Sequence, residues 1–274
     1  MEDIVTAMLA LNVDAGLARS TVNNVAHAMA QGPVAEMDLS PAGGAAYVQE
    51  APRLGRGHLL RTQDRDVAVM LRLESPVLAV LGGVLDAQEC TELIALARRR
   101  LRPSTVVDPE TGLDRTTEHR DSEGMFFAPC ETPFIAQIDR RISALMNCPI
   151  ENGEGLQVLR YGPAAKNQPH FDFLVPGHEA NRASLARSGQ RISTLVVYLN
   201  DVPDGGETVF PELGLAVTPR QGHAVYFEYA NSLGQVDLRS VHAGAPVLRG
   251  EKWALTKWMR ERRFVPASGP LRHG

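Results

Sequence analysis

Two neighbouring residues have the types and the spacing of a metal-binding pair. The segment Pro169-His170-Phe171-Asp172 places a histidine and an aspartate two positions apart. In an extended chain such positions project from the same face, so an imidazole nitrogen and a carboxylate oxygen can meet at one ion. A single His-x-Asp occurs often by chance, so the pair predicts a site only if a further ligand exists.

His242 is the candidate for that further ligand. It lies in the run from Ser240 to Val247, which predicts a strand. Two histidines and one carboxylate are the ligand set of non-haem iron oxygenases, and they leave positions open for a cosubstrate and dioxygen. For His242 taken alone, a structural role in the core is the better interpretation.

Lys252 adds a site for an anion. It begins an apolar, aromatic run that ends at Trp258. A lysine that faces a core needs an anionic partner, because burying an unpaired charge is costly. The distal carboxylate of 2-oxoglutarate is such a partner if its other end chelates iron. The alternative is a surface lysine on an edge strand, since Lys257 lies in the same run.

Short strands dominate the elements that must position these residues. Apolar runs separated by Gly, Pro, Asn and Asp predict a sandwich or barrel. Two helices precede them, and we expect Asp86 and Glu89 to form a capping box on the first. The fold class is therefore α+β with a mainly β core. The predicted helices are Ala87–Leu101 and 132–146, and the predicted strands are Val77–Val84, Leu156–Tyr161, Ile192–Leu199, Leu215–Val217, Ala224–Tyr229, Ser240–Val247 and Lys252–Met259.

From about Glu74 to Arg263 the chain resembles the catalytic domain of prolyl 4-hydroxylases, especially their short bacterial members. The matching segments are Leu156–Tyr161, Pro169–Phe173, Gln190–Thr194, Tyr198–Asp201, Gly205–Pro211, Ser240–Gly244 and Gly250–Trp253. The resemblance implies a double-stranded β-helix, or jelly roll, supported by N-terminal helices. It also implies Fe(II) as cofactor, 2-oxoglutarate and dioxygen as cosubstrates, and ascorbate as a reductant.

The resemblance assigns roles to residues of the catalytic centre. His170, Asp172 and His242 match the metal ligands and, with Lys252, the catalytic set. Two further residues match groups that contact 2-oxoglutarate. They are Tyr161, which corresponds to a hydrogen-bonding tyrosine, and Thr194, which corresponds to a helper at the same carboxylate.

The substrate groove is less well defined by the resemblance. Arg120, Glu154 and Arg191 fall where family members line a peptide groove, and a surface or structural charge is the alternative for each. Arg260 stands where animal collagen-type members have a histidine, and we include it among the candidate substrate residues. Asn167 stands where the family often has a tyrosine. Neither departure affects iron or cosubstrate, but both leave the substrate open.

The reaction implied by the resemblance is 4-hydroxylation of a prolyl residue in a peptide or protein. One alternative is hydroxylation of a free amino acid or another small metabolite. An alternative of another class is a non-catalytic jelly-roll protein that binds metal or senses a ligand. The presence of Asp172 argues against halogenation, since a halogenase leaves that ligand position open for halide.

Composition limits the partners and the compartment. The chain has 274 residues and a net charge of −4, so nothing predicts binding to nucleic acid or anionic lipid. No run approaches the ~20 apolar residues of a membrane-spanning helix. Three cysteines, without the spacing of a metal site, predict a reduced, cytoplasmic protein.

The first 72 residues differ in character from the rest. Asp3–Leu11 and Ser20–Ala30 have apolar residues at helical spacing, whereas Arg53–Arg65 reads as a linker. We therefore divide the chain into an N-terminal helical extension with a linker, residues 1–72, and a catalytic domain, residues 73–274. A helical cap, a homodimerisation element and a partner surface are the alternatives for the extension. The loops Ser104–Gly124 and Leu174–Gln190 are candidates for a mobile lid.

Overall fold

Antiparallel strands form most of the regular secondary structure in the protein, for which a computed structural model describes residues 46–103, 106–107, 114–115, 122–175 and 177–266. The strands of these residues are β1 Leu59–Arg61, β2 Asp66–Glu74, β3 Val77–Gly82, β4 Arg102–Pro103, β5 Val106–Val107, β6 Asp114–Arg115, β7 Ser122–Phe127, β8 Leu156–Tyr161, β9 Asn167–His170, β10 Arg191–Tyr198, β11 Asp204–Gly205, β12 Thr208–Phe210, β13 Leu215–Val217, β14 Ala224–Glu228, β15 His242–Gly244, β16 Val247–Arg249 and β17 Lys252–Arg260. The helices are α1 Ala87–Arg98, α2 Pro133–Leu145 and α3 Glu179–Ser188.

Two sheets enclose the core. The larger has nine strands in the order β1-β2-β3-β14-β10-β17-β8-β7-β4, and the smaller has the order β13-β12-β15-β9. Neighbouring strands run antiparallel in both, and two further pairs, β11-β16 and β5-β6, lie outside them. This architecture confirms the predicted class: a mainly β jelly roll with supporting helices.

Helices α1 and α2 begin where the sequence predicts. Asp86 accepts a hydrogen bond from the Glu89 amide at 2.8 Å, and the Glu89 carboxylate accepts one from the Asp86 amide at 2.9 Å. The capping box is therefore confirmed, and Thr132 caps α2 through the Ile135 amide. Each helix buries one apolar face, which consists of Cys90, Leu93 and Ala97 in α1 and of Ile135, Ile138, Ile142 and Leu145 in α2.

Strand β17 places alternate residues on the two faces of the larger sheet. It pairs with β8 on one side, where Lys252 lies opposite Tyr161, and with β10 on the other, where Thr194 lies opposite Trp258. Because side chains alternate along a strand, Lys252 and Trp258 share the inner face, which is turned toward the smaller sheet. The central strand therefore carries the candidate anchor into the interior.

Lys257 lies on the opposite face of β17 and is fully buried. Its ammonium donates to the carboxylate of Asp139 in α2 at 2.6 Å and to the carbonyl of Glu154 at 2.5 Å. The interpretation of the run as an edge strand with a surface lysine is therefore wrong. A buried partner on α2 satisfies the charge, and no sequence spacing links the two residues.

Removal of the carboxylate partner of Lys257 is expected to destabilise the fold. In Asp139→Ala the buried ammonium keeps only a carbonyl acceptor, so we expect the free energy of unfolding to fall by roughly 3–5 kcal/mol. Urea denaturation followed by circular dichroism measures the change. The double variant Asp139→Leu with Lys257→Met should recover most of the loss, and a loss below about 1 kcal/mol in Asp139→Ala would contradict this role.

One of the two loops predicted as a mobile lid contains regular structure. Leu174–Gln190 includes α3, whose polar sequence has no apolar repeat at helical spacing and so gave no helical signal. Glu179 and Arg182 pair across its first turn, and the helix ends at Gly189, where φ is 71°. Most of the second lid candidate, Ser104–Gly124, lies outside the described residues.

The N-terminal part of the described chain joins the larger sheet. Strand β1 lies within the predicted linker and pairs with β2, which crosses the predicted boundary between residues 72 and 73. The helices predicted in Asp3–Leu11 and Ser20–Ala30 lie outside the described residues, so the two-part division stays a prediction. Among the helices that the structure describes, none has the length and hydropathy to cross a membrane.

Candidate metal centre

The three predicted metal ligands lie together. Strands β9 and β15 pair so that His170 is opposite His242, and Asp172 follows β9 by two residues. Nε2 of His170 is 3.8 Å from Asp172 Oδ1, and Nε2 of His242 is 3.6 Å from Asp172 Oδ2. The potential ligand atoms all lie within 4.8 Å of one another, so a single ion can contact all three side chains.

Backbone carbonyls orient both imidazoles. Nδ1 of His170 is 2.8 Å from the Gln168 carbonyl oxygen, and Nδ1 of His242 is 3.0 Å from that of Ser240. A carbonyl oxygen only accepts, so each Nδ1 carries the proton and donates. In the neutral form that binds a metal, the lone pair of each ring therefore lies on Nε2, the nitrogen that points toward Asp172.

Asp172 is a buried carboxylate that stays ionised. Burial alone would raise its pKa, but His242, His170 and Arg191, together with a hydrogen bond from Thr194, lower the pKa below its usual value. Thr194 Oγ1 donates to Asp172 Oδ2 at 2.7 Å. The carboxylate is thus ready to bind a cation without first losing a proton.

Aromatic rings surround the buried side of the centre. The ring of His242 lies 4.7 Å from that of Phe227 and 5.8 Å from that of Phe210, centroid to centroid. Both phenylalanines are buried, whereas His170 is partly exposed. The centre therefore opens on the His170 side and is closed to water on the His242 side.

Lys252 provides a buried positive charge on the inner face. Its Nζ lies 5.7 Å from the ring centroid of Tyr161 and 5.4 Å from that of Tyr198. Within the part of the chain that the structure describes, no hydrogen bond or ion pair joins Nζ to another residue. Burial lowers the pKa of Lys252 to about 8, although the nearby Glu207 acts in the opposite direction. An anionic ligand would stabilise this charge.

The lowered pKa of Lys252 predicts a pH dependence of anion binding. Below about pH 8 the free site holds an ammonium, and above it the neutral amine dominates. We therefore expect the Kd for 2-oxoglutarate to rise about tenfold per pH unit above this value, because only the charged form pairs with a carboxylate.

Calorimetric titration of the Mn(II)-loaded protein with 2-oxoglutarate between about pH 7 and about pH 9.5 measures the dependence. Lys252→Arg is the matched control, since a guanidinium stays charged throughout and should give a flatter profile. An identical pH profile for the wild type and Lys252→Arg would contradict the assignment.

The two predicted cosubstrate contacts lie in different places. Tyr161 is buried beside Lys252, as the cross-strand register requires. Thr194 lies instead at the metal centre, where its hydroxyl is bonded to Asp172. Tyr198, four residues after Thr194 on the same face of β10, contacts Lys252, and sequence reasoning gave it no role. Its position on that face was the available signal.

Charged residues predicted for the substrate groove form a buried network. Glu154 accepts hydrogen bonds from Arg191 at 2.7 and 2.8 Å and from Arg260 at 3.0 Å. Burial opposes ionisation of Glu154, but Arg191 and Arg260 lower its pKa below the usual value. The three side chains therefore form a buried ionic network, which fits a structural charge better than a surface charge as the alternative to a substrate contact.

Arg191 connects this network to the metal centre. Its guanidinium lies 4.1 Å from the ring centroid of Trp258 and donates to the backbone carbonyl of Asp172 at 3.3 Å. Arg260 is 1% exposed and donates to Ser184 and to the carbonyl of Gly189, so its observed contacts are all with the protein and hold α3.

Assignments to the substrate groove stay predictions. The contacts of Arg260 support a structural role. The resemblance did not suggest this role, because animal collagen-type members have a histidine at that position. Arg120 lies outside the described residues. Arg191 contacts the metal centre through the Asp172 carbonyl, and Glu154 contacts Arg191.

Comparisons with known proteins agree in both sequence and fold. Residues 156–260 match the model of the 2OG-Fe(II) oxygenase superfamily. Prolyl 4-hydroxylase 1 of Arabidopsis thaliana is 42% identical over 203 residues, which cover 69% of this chain and 70% of that protein. Prolyl 4-hydroxylase 5 of the same plant is 37% identical over 208 residues, again 69% and 70% of the two chains.

A solved structure also resembles this chain. It is the viral collagen prolyl hydroxylase vCPH of Paramecium Bursaria Chlorella virus-1, in complex with 2OG. The TM-score is 0.53 at 28% sequence identity, and the match covers 67% of this chain and 95% of the viral chain. The match supports the jelly-roll architecture independently of the family model.

Proposed function

Because the chain belongs to the prolyl 4-hydroxylase group of the 2OG-Fe(II) oxygenase superfamily, we propose that it hydroxylates carbon 4 of prolyl residues in a peptide or protein. It is a 2-oxoglutarate- and Fe(II)-dependent dioxygenase. The observation that carries the substrate proposal is the 42% identity to a named prolyl 4-hydroxylase over 203 residues.

We propose that His170, Asp172 and His242 hold the iron. Two imidazoles and one ionised carboxylate fit Fe(II) in donor type, and their ligand atoms lie close enough to share one ion. We propose further that Lys252 and Tyr161 bind the distal carboxylate of 2-oxoglutarate, because Lys252 is the buried cation of the inner face.

In this proposal the chain's residues bind and orient the metal and the cosubstrate, and they exclude water from the centre. When bound, Fe(II) and 2-oxoglutarate supply the oxidation, in which one atom of dioxygen enters the substrate C–H bond and the other enters succinate while carbon dioxide leaves. The carbonyls of Gln168 and Ser240 fix the tautomers of the two histidines. Phe227 and Phe210 keep solvent from the His242 side.

Substrate recognition is assigned to the partly exposed side of the centre. Arg191 lies beside both Asp172 and Trp258, and Glu154 fixes its guanidinium by two hydrogen bonds. A planar guanidinium held in this way can donate to a peptide carbonyl. We therefore propose Arg191 as the residue that contacts a peptide substrate, with Glu154 as its positioning partner.

A succinate-release assay tests the proposed reaction. The protein is incubated with Fe(II), 2-oxoglutarate and dioxygen, together with either proline-rich peptides or free amino acids, and products are read by mass spectrometry. Succinate release coupled to the gain of one oxygen on a peptidyl proline supports the proposal. The gain of one oxygen only on free amino acids would support the small-metabolite alternative, and metal binding without any turnover would support the non-catalytic one.

Three finer properties remain proposals of the same kind. Ascorbate is proposed as a reductant by resemblance to the family. A cytoplasmic location is proposed because all three cysteines, Cys90, Cys130 and Cys148, are free thiols. A homodimer is proposed only as one role for residues 1–72.

A further inference from the structure

Tyr229 is connected to the metal centre through the hydroxyl of Thr194. It follows β14 directly and is fully buried, and its hydroxyl oxygen is 2.9 Å from Thr194 Oγ1. Its ring lies 5.9 Å from that of Phe227 and 6.3 Å from that of Phe173, centroid to centroid. Apolar neighbours on two sides hold the ring, so the hydroxyl has a fixed direction.

The number of hydroxyl protons determines which side chain donates in the contact between Tyr229 and Thr194. Thr194 has one hydroxyl proton, and the ionised carboxylate of Asp172 can only accept. Thr194 therefore donates to Asp172 Oδ2, at 2.7 Å, and the only proton left for the contact with Tyr229 is the phenolic one. Tyr229 therefore donates a hydrogen bond to Thr194, and Thr194 donates one to Asp172.

Asp172 lies in a less regular segment than the two histidines do. His170 and His242 lie in paired strands, and a carbonyl two residues earlier in the chain fixes each ring. Asp172 lies in the bend after β9 and belongs to no strand. Thr194, in contrast, lies in the middle of β10, between β14 and β17. The hydroxyl chain thus connects an irregular segment to the rigid larger sheet.

We propose that Tyr229 is a positioning residue for Asp172 that acts through Thr194. The proposal rests on the proposed function, in which Asp172 is an iron ligand. Donation from Tyr229 polarises the Thr194 hydroxyl and strengthens its bond to the carboxylate, because consecutive hydrogen bonds reinforce one another in a dry interior. Groups that orient a ligating carboxylate raise metal affinity without touching the metal.

The dissociation constant for metal tests the proposal without reference to turnover. We expect Tyr229→Phe to raise the Kd for Fe(II), measured by anaerobic equilibrium dialysis, by roughly tenfold, the low end of what outer partners of a ligand contribute. The matched control is Tyr226→Phe, in β14 three residues before Tyr229. Tyr226 is also fully buried, and its hydroxyl donates to the carboxylate of Glu228. We expect Tyr226→Phe to leave the Kd unchanged.

A double-variant series separates positioning from a general structural role. Thr194→Val removes the intermediate hydroxyl, so adding Tyr229→Phe should change the Kd by less than about twofold, whereas independent effects would multiply. Thr194→Ser restores the hydroxyl and should recover the wild-type Kd. Thermal unfolding of each metal-free variant reports whether stability has changed. If Tyr229→Phe does not fold, the comparison of Thr194→Ser with Thr194→Val still tests whether the hydrogen bond from Thr194 to Asp172 raises metal affinity.

Each outcome bears on one claim only. If Asp172→Ala binds Fe(II) as tightly as the wild type, the assignment of Asp172 as a ligand fails, and with it the proposed iron site. If Asp172→Ala loses Fe(II) while Tyr229→Phe keeps the wild-type Kd, the iron site stands and the positioning role of Tyr229 is wrong. Equal weakening by Tyr226→Phe and Tyr229→Phe would also overturn that role.

Discussion

Replacing any one of His170, Asp172 and His242 by alanine is expected to reduce succinate formation more than roughly 100-fold, since even partners outside the ligand shell contribute 10- to 100-fold. The three ligand atoms lie within 4.8 Å of one another, and the structure gives each a prepared state: two imidazoles with Nε2 lone pairs and one ionised carboxylate. Loss of one ligand weakens the binding of Fe(II) and removes one of the three side chains that orient the cosubstrate for hydroxylation. Succinate is quantified under saturating Fe(II) and 2-oxoglutarate.

The matched control for the histidines is His223→Ala. The Nδ1 of His223 contacts the carbonyl of Gln221 at 3.1 Å, the same i−2 contact as in His170 and His242. His223 belongs to no cluster of potential metal ligands among the described residues. We expect His223→Ala to keep near wild-type turnover. Turnover retained in any single one of the three alanine variants would overturn the ligand assignment for that residue.

Lys252→Ala is expected to raise the KM for 2-oxoglutarate roughly 100-fold, the effect of truncating one partner of a buried, hydrogen-bonded charge pair. Lys252 is 5% exposed and lies against the rings of Tyr161 and Tyr198. Without the lysine, the bound carboxylate would therefore have little water to stabilise its charge. The kcat should change less than the KM, because the anchor lies at the end of the cosubstrate away from the reacting carbon. Initial rates across a range of 2-oxoglutarate concentrations separate the two constants.

Lys252→Arg distinguishes the charge from the shape of the anchor. A guanidinium keeps the positive charge but is broader than an ammonium, so this variant should show a KM between those of the wild type and Lys252→Ala. An unchanged KM in Lys252→Ala would mean that another group binds the distal carboxylate. A fall in kcat with an unchanged KM would point to a structural role for Lys252 instead.

Much of the architecture follows from local sequence patterns. Strand β8, Leu156–Tyr161, has the predicted bounds, and the capping box of Asp86 and Glu89 has the predicted hydrogen bonds. A short apolar run and a helix cap are properties of a few consecutive residues, so one sequence is enough to find them. The predicted strand Ser240–Val247 was less accurate, because Pro246 separates β15 from β16 and a 3-10 turn precedes β15.

The candidate site was predictable where ligand types and strand spacing suffice. His170 and Asp172 are separated by one residue, and strand pairing brings His242 opposite His170. The hydrogen bond from Thr194 to Asp172 and the pairing of Lys257 with Asp139 were not predictable. Both depend on packing between elements distant in sequence, and no periodicity records which side chain meets which.

The partners of Arg260 were also not predictable from the sequence. Its role as a substrate residue stays a prediction, and in the structure it is buried and hydrogen-bonded to Glu154, Ser184 and Gly189. An arginine has five donors, and a buried one must satisfy them within the protein. Burial cannot be read from a single position, so its partners appear only in the folded chain.

Anaerobic titration of the Fe(II)-loaded protein with 2-oxoglutarate tests the central claim most directly. We expect a weak visible absorption band that saturates at one equivalent of 2-oxoglutarate per protein. The band should be lost in His170→Ala, Asp172→Ala and His242→Ala but not in His223→Ala. Absence of the band in the wild type, or its persistence in any of the first three variants, would contradict the proposed iron site.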